Sequence, residues 1–149
     1  MNEQENYPIS FAEVRRATNI INRYLVPTQL IRYDELSNLL NADIYIKHEN
    51  HNPTGTFKVR GGINLMHHLK NADINGVITF STGNHGLSVA ATASWFRLDA
   101  TIVVPENNNP AKNRKIRATG AQLIEAGKIF EDASKVVEKI VDEKGLYII

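Results

Sequence analysis

The sequence contains no cysteine. Disulfide staples, thiolate metal sites and thiol nucleophiles are therefore excluded, and thiol usage says nothing about the redox compartment. Any apolar run of about 18 residues, the length a bilayer-crossing helix needs, is also missing. The opening, Met-Asn-Glu-Gln-Glu-Asn, is polar and acidic where a signal peptide is basic and apolar. No membrane partner is expected, and a cytoplasmic address follows by default. Nor does one sign of charge dominate: 17 Lys and Arg face 16 Asp and Glu, for a formal net charge of +1, and no basic stripe tracks a phosphate backbone. Nucleic acid is not an expected partner. Five histidines are present, but His48-Glu-Asn-His51 lacks the His-Glu-x-x-His spacing and a third ligand nearby, so no metal site is expected.

What is present is an ordinary globular composition: 149 residues, 42% hydrophobic and 22% charged, enough to bury one core. Ser10 and Glu13 form a capping box, and Phe11, Val14, Ala17, Ile20, Ile21 and Leu25 then recur at helical spacing, which predicts a helix over residues 11–24, ended by Pro27. A short helix is expected at 33–40, a strand at 43–49, and a helix at 57–70 with Thr56 as its cap. From residue 76 onward strands (76–80, 101–104, 122–125, 146–149) alternate with helices (87–97, 111–119, 131–144). That alternation is the mark of a parallel sheet. Gly120 and Gly145 sit just past helix ends, where a left-handed residue is wanted. The lysines and glutamates of 131–144 read as a solvated helix face. Leu146-Tyr-Ile-Ile149 is apolar with no polar tail to cover its edge, so a following segment is expected to pair with it.

Two stretches carry chemistry. In Thr54-Gly-Thr-Phe-Lys58-Val-Arg-Gly-Gly62 a lysine falls in the opening turn of a helix, where the positive end of the helix dipole disfavours an ammonium and favours the neutral amine, the form that attacks an aldehyde. The plain alternative is a surface lysine with its head in water. In Phe80-Ser-Thr-Gly-Asn-His-Gly86 small residues join a buried strand to a helix and point backbone N–H groups outward, a cradle for a carboxylate or phosphate. Its alternative is an ordinary turn, with Asn84 left-handed and Ser81 or Thr82 as cap. The full Gly-x-Gly-x-x-Gly of a dinucleotide site does not occur.

Lys47-x-Glu49-Asn50, Thr54-Gly-x-Phe-Lys58-x-Arg60-Gly61 and Ser81-x-Gly83-Asn84-His85-Gly86, in this order and separation, resemble the fold-type II pyridoxal-phosphate enzymes. Ile102-Val-Val-Pro105, Lys115 with Gly120-Ala121, and Gly127-x-x-Phe130-x-x-Ala133 extend the resemblance over nearly the whole chain, the last being similar to the threonine and serine dehydratase branch, which also holds serine racemases and hydroxyaspartate dehydratases. The resemblance implies an α/β fold of the tryptophan-synthase-β kind: residues 1–74 as the N-terminal part of a larger cofactor-binding domain, and 75–149 as a small parallel-sheet domain, with the cofactor in the cleft between them. It implies pyridoxal 5'-phosphate as cofactor, Lys58 as the Schiff-base lysine and proton carrier, Phe57 packed beside the ring, and Asn84 bonded to the ring hydroxyl. Ser81, Thr82, Gly83, Asn84 and His85 would grip the carboxylate of the amino acid. The implied reaction is β-elimination of a hydroxy amino acid such as L-threonine or L-serine to a keto acid and ammonia, in a homo-oligomer when full length.

Departures from the pattern are Thr28-Gln-Leu30 in place of Thr-Pro-Leu, and Thr82 where serine or alanine is usual. A hydroxyl at Thr82 suits a second proton carrier, as a racemase needs, or crowds the site. Nothing resembles the family's glycine-rich phosphate loop or the partner of the pyridine nitrogen, so this chain is expected to be an N-terminal portion, inactive or nearly so alone. A racemase, a synthase relative and a non-catalytic amino-acid-binding or interaction module are the alternatives.

Overall fold

The computed structural model describes residues 9–128 and 130–149. The acidic opening and the Phe130 side chain, which pointed toward the dehydratase branch, lie outside the described residues. The Ser10 box forms as expected: the Ser10 hydroxyl accepts from the Glu13 N–H at 3.3 Å, and the Glu13 carboxylate accepts from the Ser10 N–H at 2.7 Å. Helix α1 (Phe11–Ile21) ends three residues earlier than its apolar spacing predicts. The amides of Arg23 and Tyr24 bond three residues back rather than four, so the chain tightens and leaves the helix before Pro27 is reached.

Strand β1 (Leu30–Arg32) was not expected; it pairs antiparallel with β2 (Tyr45–Lys47), Ile31 facing Ile46, and helix α2 (Asp34–Leu40) lies between them in sequence. All six residues of this ribbon are exposed, so no apolar alternation announces β1 and β2 is shorter than residues 43–49 suggest. A single 3-10 turn, Glu49–His51, then leads into the loop before α3 (Lys58–Leu69).

Beyond residue 76, β3 (Val77–Phe80), α4 (Asn84–Trp95), β4 (Ala100–Val104), α5 (Pro110–Arg117), β5 (Gln122–Glu125), α6 (Phe130–Lys144) and β6 (Tyr147–Ile148) follow the expected alternation. The four strands form one parallel sheet in the order β5-β4-β3-β6. Alternation along the central strands splits the core in two. Val77, Ala100, Ile102 and Val104 face α3, α4 and α5, while Ile78 and Val103 face Ala133, Val137 and Ile140 of α6. The first cluster also takes in Leu25, Val59, Ile63, Met66 and Leu69, so α3 shares a continuous core with the sheet. β6 lies at the sheet edge, with Tyr147 and Ile148 both exposed. Among the described residues no helix is long and apolar enough to cross a membrane.

The α3–α4 contact depends on one glycine. A Cβ on Gly62 would lie 2.7 Å from Thr92 Oγ1 and 2.8 Å from Ser88 Oγ, whereas a Cβ on Gly61 meets nothing within 4 Å. Gly62→Ala is expected to cost about 1–3 kcal/mol in urea denaturation, because two buried helices must separate. Gly61→Ala should instead add about 0.5–1 kcal/mol, by lowering unfolded-chain entropy in a helix with room for the methyl.

Candidate active site

Lys58 is the first residue of α3, and its place is set from outside the helix. Glu49 accepts from Arg60 Nε at 2.7 Å and Arg60 Nη2 at 2.8 Å, from the Thr28 hydroxyl at 2.6 Å, and from Asn52 Nδ2 at 2.7 Å. Four donors on two oxygens, with both side chains of the ion pair largely buried, hold the Glu49 carboxyl down to about 2; the Arg60 bonds are the largest cause, and burial opposes them. Asn52 is itself buried and also donates to the Glu49 and Thr56 carbonyls. Gly55, at φ 71°, turns the chain back, its N–H donating to the Asn52 carbonyl at 2.7 Å. The expected cap differs in detail: the N-cap is Phe57, without a side-chain bond, and Thr56, one residue earlier, accepts from the Lys58 N–H at 3.4 Å.

The second stretch leaves the carboxyl end of β3. Ser81 Oγ accepts from the Gly83 N–H at 3.3 Å and the Gly86 N–H at 2.9 Å. The N-cap of α4 is Gly83, without a side-chain bond, and Ser81, two residues earlier, turns two of the amides expected to point outward inward to its hydroxyl. The amides of Thr82, Asn84 and His85 have no partner among the described residues and stand at the start of α4. Asn84 is not left-handed; it is the first residue of α4. Gly86 lets the helix sit close to the sheet, since a Cβ there would lie 3.0 Å from Ile102 Cγ2 and 3.2 Å from the Ser81 carbonyl oxygen.

Lys58, Ser81, Thr82 and His85 line one cleft of about 440 Å³, together with Phe80, Pro105 and Lys128. The volume is that of a small-molecule site, roughly 300–1,000 Å³. Burial first, and then the charge of Lys58, push the His85 imidazole below its ordinary value, against a backbone hydrogen bond toward Ile149 that raises it. Phe57 and Asn84 are exposed and do not line the cleft, nor does Gly83. Lys128 and Pro105 were missed. Pro105 directly follows β4 and Lys128 lies three residues past the end of β5, and in a parallel sheet the loops after β3, β4 and β5 emerge on one edge, the edge at which such sheets take ligands. Strand order in space, which carries no local signal, was needed to find them.

A family model described as pyridoxal-phosphate dependent enzyme matches residues 21–149. The chain belongs to that family. It is 35% identical over 148 residues to a catabolic L-threonine dehydratase of Staphylococcus aureus, covering 98% of this chain and 43% of that protein. Maize serine racemase superposes with a TM-score of 0.90 at 26% identity, over 96% of this chain and 44% of the racemase. A threonine deaminase of Solanum lycopersicum superposes at 0.79 with 28% identity, over 95% and 40%. The chain thus spans under half the length of the relatives it matches. The family's cofactor fits the residues present: an amine without a charged partner among the described residues faces a cleft of the right size, beside a helix start with free amides.

Because the Glu49 carboxyl is lowered from 4.5 to about 2, its stabilising contribution is complete above about pH 5 and is lost as pH falls toward 2. Urea denaturation should show stability declining by about 2–3 kcal/mol over that window. Glu49→Gln should be less stable at neutral pH and show a flatter dependence; an unchanged acid limb would contradict the buried pair.

Proposed function

We propose that these residues carry the lysine-bearing part of an active site that eliminates the β-hydroxyl of a hydroxy amino acid, such as L-threonine or L-serine, to give a keto acid and ammonia. The observation that carries the reading is the single cleft shared by the Lys58 side chain and the 81–85 turn into α4, which begins 23 residues further along the sequence. Pyridoxal phosphate, when bound, supplies a ring that draws electrons from the substrate α-carbon. Lys58 is the residue to hold its aldehyde, and Asn84 and Phe57 are the residues proposed to meet the ring.

Each residue then has a task of its own. The free amides of Thr82, Asn84 and His85 bind the α-carboxylate, aided by the positive end of α4, and so fix which face of the α-carbon Lys58 meets. Lys58 Nζ takes the α-proton as a general base. The β-hydroxyl leaves with a proton as water, and hydrolysis of the resulting enamine returns one water and releases ammonia. Burial and then the charge of Lys58 shift the His85 imidazole toward its neutral form, which limits the positive charge beside the amine. A racemase reading is favoured by Thr82, whose exposed side chain lines the same cleft and offers a hydroxyl to return the proton.

Incubation with pyridoxal phosphate, borohydride reduction and peptide mass mapping should place the pyridoxyl mass on Lys58 and lose it in Lys58→Ala. Equal labelling of other lysines, unaffected by that substitution, would refute the assignment. In the catalytically competent protein Lys58→Ala should lower keto-acid release from threonine or serine by at least about 10³-fold, while chiral analysis of recovered serine distinguishes racemisation.

A further inference from the structure

We propose that the Asn75-Gly76 pair is a site of spontaneous deamidation, and that conversion of Asn75 to aspartate or isoaspartate releases α6 and β6 from the start of β3. The site lies at the amino edge of the sheet, away from the cleft, and does not depend on the reading of Lys58.

Asn75-Gly76 is the one Asn-Gly pair in the sequence. The fold requires the glycine: its φ is 132°, and a Cβ there would lie 2.8 Å from the Asp99 carbonyl oxygen. With no side chain on the following residue, nothing shields Asn75 Cγ from the Gly76 backbone nitrogen. The Gly76 N–H donates to no acceptor among the described residues, so no hydrogen bond holds its proton. Asn75 is exposed and lines a surface cavity of about 240 Å³ with Asp99, Gln122, Lys144 and Leu146, which gives water access to it.

The chemistry needs only these atoms and water. The Gly76 nitrogen gives its proton to solvent and adds to Asn75 Cγ; the Cγ–Nδ2 bond breaks, and Nδ2 takes a proton from solvent and leaves as ammonia. A five-membered imide remains. Water then cleaves one of its two C–N bonds, giving aspartate on the original main chain or isoaspartate with an extra methylene in the main chain. Nothing is oxidised or reduced.

Nδ2 is also the atom that ties two distant segments, donating to the Lys144 carbonyl at 2.9 Å across 69 residues. That carbonyl closes α6, where helix carbonyls lack intrahelical partners and the dipole end is negative. An amide donor suits this place and a carboxylate does not. After conversion the donor is gone and an anion stands against a carbonyl oxygen, in a cavity that Asp99 already lines. Pairing with the exposed Lys144 ammonium offsets little of this, as for other surface ion pairs.

β6 has little else to hold it. It is a two-residue edge strand, joined to β3 by the Tyr147 N–H on the Gly76 carbonyl at 2.9 Å and the Ile149 N–H on the Ile78 carbonyl at 3.0 Å. The first of these acceptors belongs to the attacking residue, and a main chain lengthened just before it moves that carbonyl out of register. The tie to Lys144 slows the attack by no more than about tenfold, the worth of one exposed hydrogen bond.

Incubating the folded protein at 37 °C, at pH 7.4 and at pH 9, with peptide mapping that separates aspartate from isoaspartate, tests the site. Asn75 should convert faster than any other asparagine, and faster at the higher pH, because the Gly76 amide must lose a proton. Hydrogen exchange tests the release: the Tyr147 and Ile149 amides should lose at least about tenfold in protection, both in converted protein and in Asn75→Asp. An Asn75 that stays an amide through an incubation in which urea-unfolded protein converts would overturn the site. Conversion that leaves the protection of β6 unchanged would overturn the release.

Discussion

Glu49 sits under the start of α3 with both carboxylate oxygens filled by Thr28, Asn52 and the two-pronged guanidinium of Arg60. Removing water from such an ion pair is unfavourable unless every lone pair finds a donor, and here every one does. The consequence is positional. Arg60 lies two residues beyond Lys58, and Asn52 holds the Thr56 carbonyl two residues before it, so the amine is delivered from a backbone fixed on either side. Packing through Gly62 against α4 then ties that backbone to the helix whose first turn forms the other wall of the cleft.

The parallel sheet supplies the remaining geometry. β4 and β5 build outward from β3 on one side with α4 and α5 on one face, while β6 returns to the other side of β3 beneath α6. Right-handed crossovers require this change of face when the direction of growth reverses. The order reverses beside β3, and its carboxyl end opens into the 81–85 loop, the place where open α/β sheets leave a crevice. Lys58, Ser81, Pro105 and Lys128 come from four separate segments and meet there because the strands that precede the last three all point the same way.

Much of this was legible in the residues. Helical spacing located α1 and α3, and the elements from residue 76 on were legible as apolar runs alternating with helical segments, because the strands are buried on both faces and leave continuous apolar stretches. Lys58 and the small-residue turn stood out for the chemistry of a helix start. Short exposed β1 left no such mark, since its stability lies in backbone pairing with β2 rather than in apolar burial. The sequence offered Ser81 or Thr82 as a cap against an outward-facing cradle and could not choose, because whether a hydroxyl turns back onto Gly83 and Gly86 or leaves their amides free depends on a local fold that no spacing encodes. The ring contacts proposed for Phe57 and Asn84 rest on the resemblance alone; both side chains are exposed and outside the cleft lining, so neither spacing nor the cleft points to them.

The account stands on Lys58 and the start of α4 sharing one space, and His85 reports on that directly. Its imidazole can be followed by NMR from pH 4 to 9 in the parent and in Lys58→Met. The account predicts a parent midpoint below the ordinary 6.5, and an upward move in the variant as the neighbouring positive charge disappears while burial persists. A His85 titration curve that is the same in both proteins would mean that the amine does not face this loop, and the shared cleft would be contradicted.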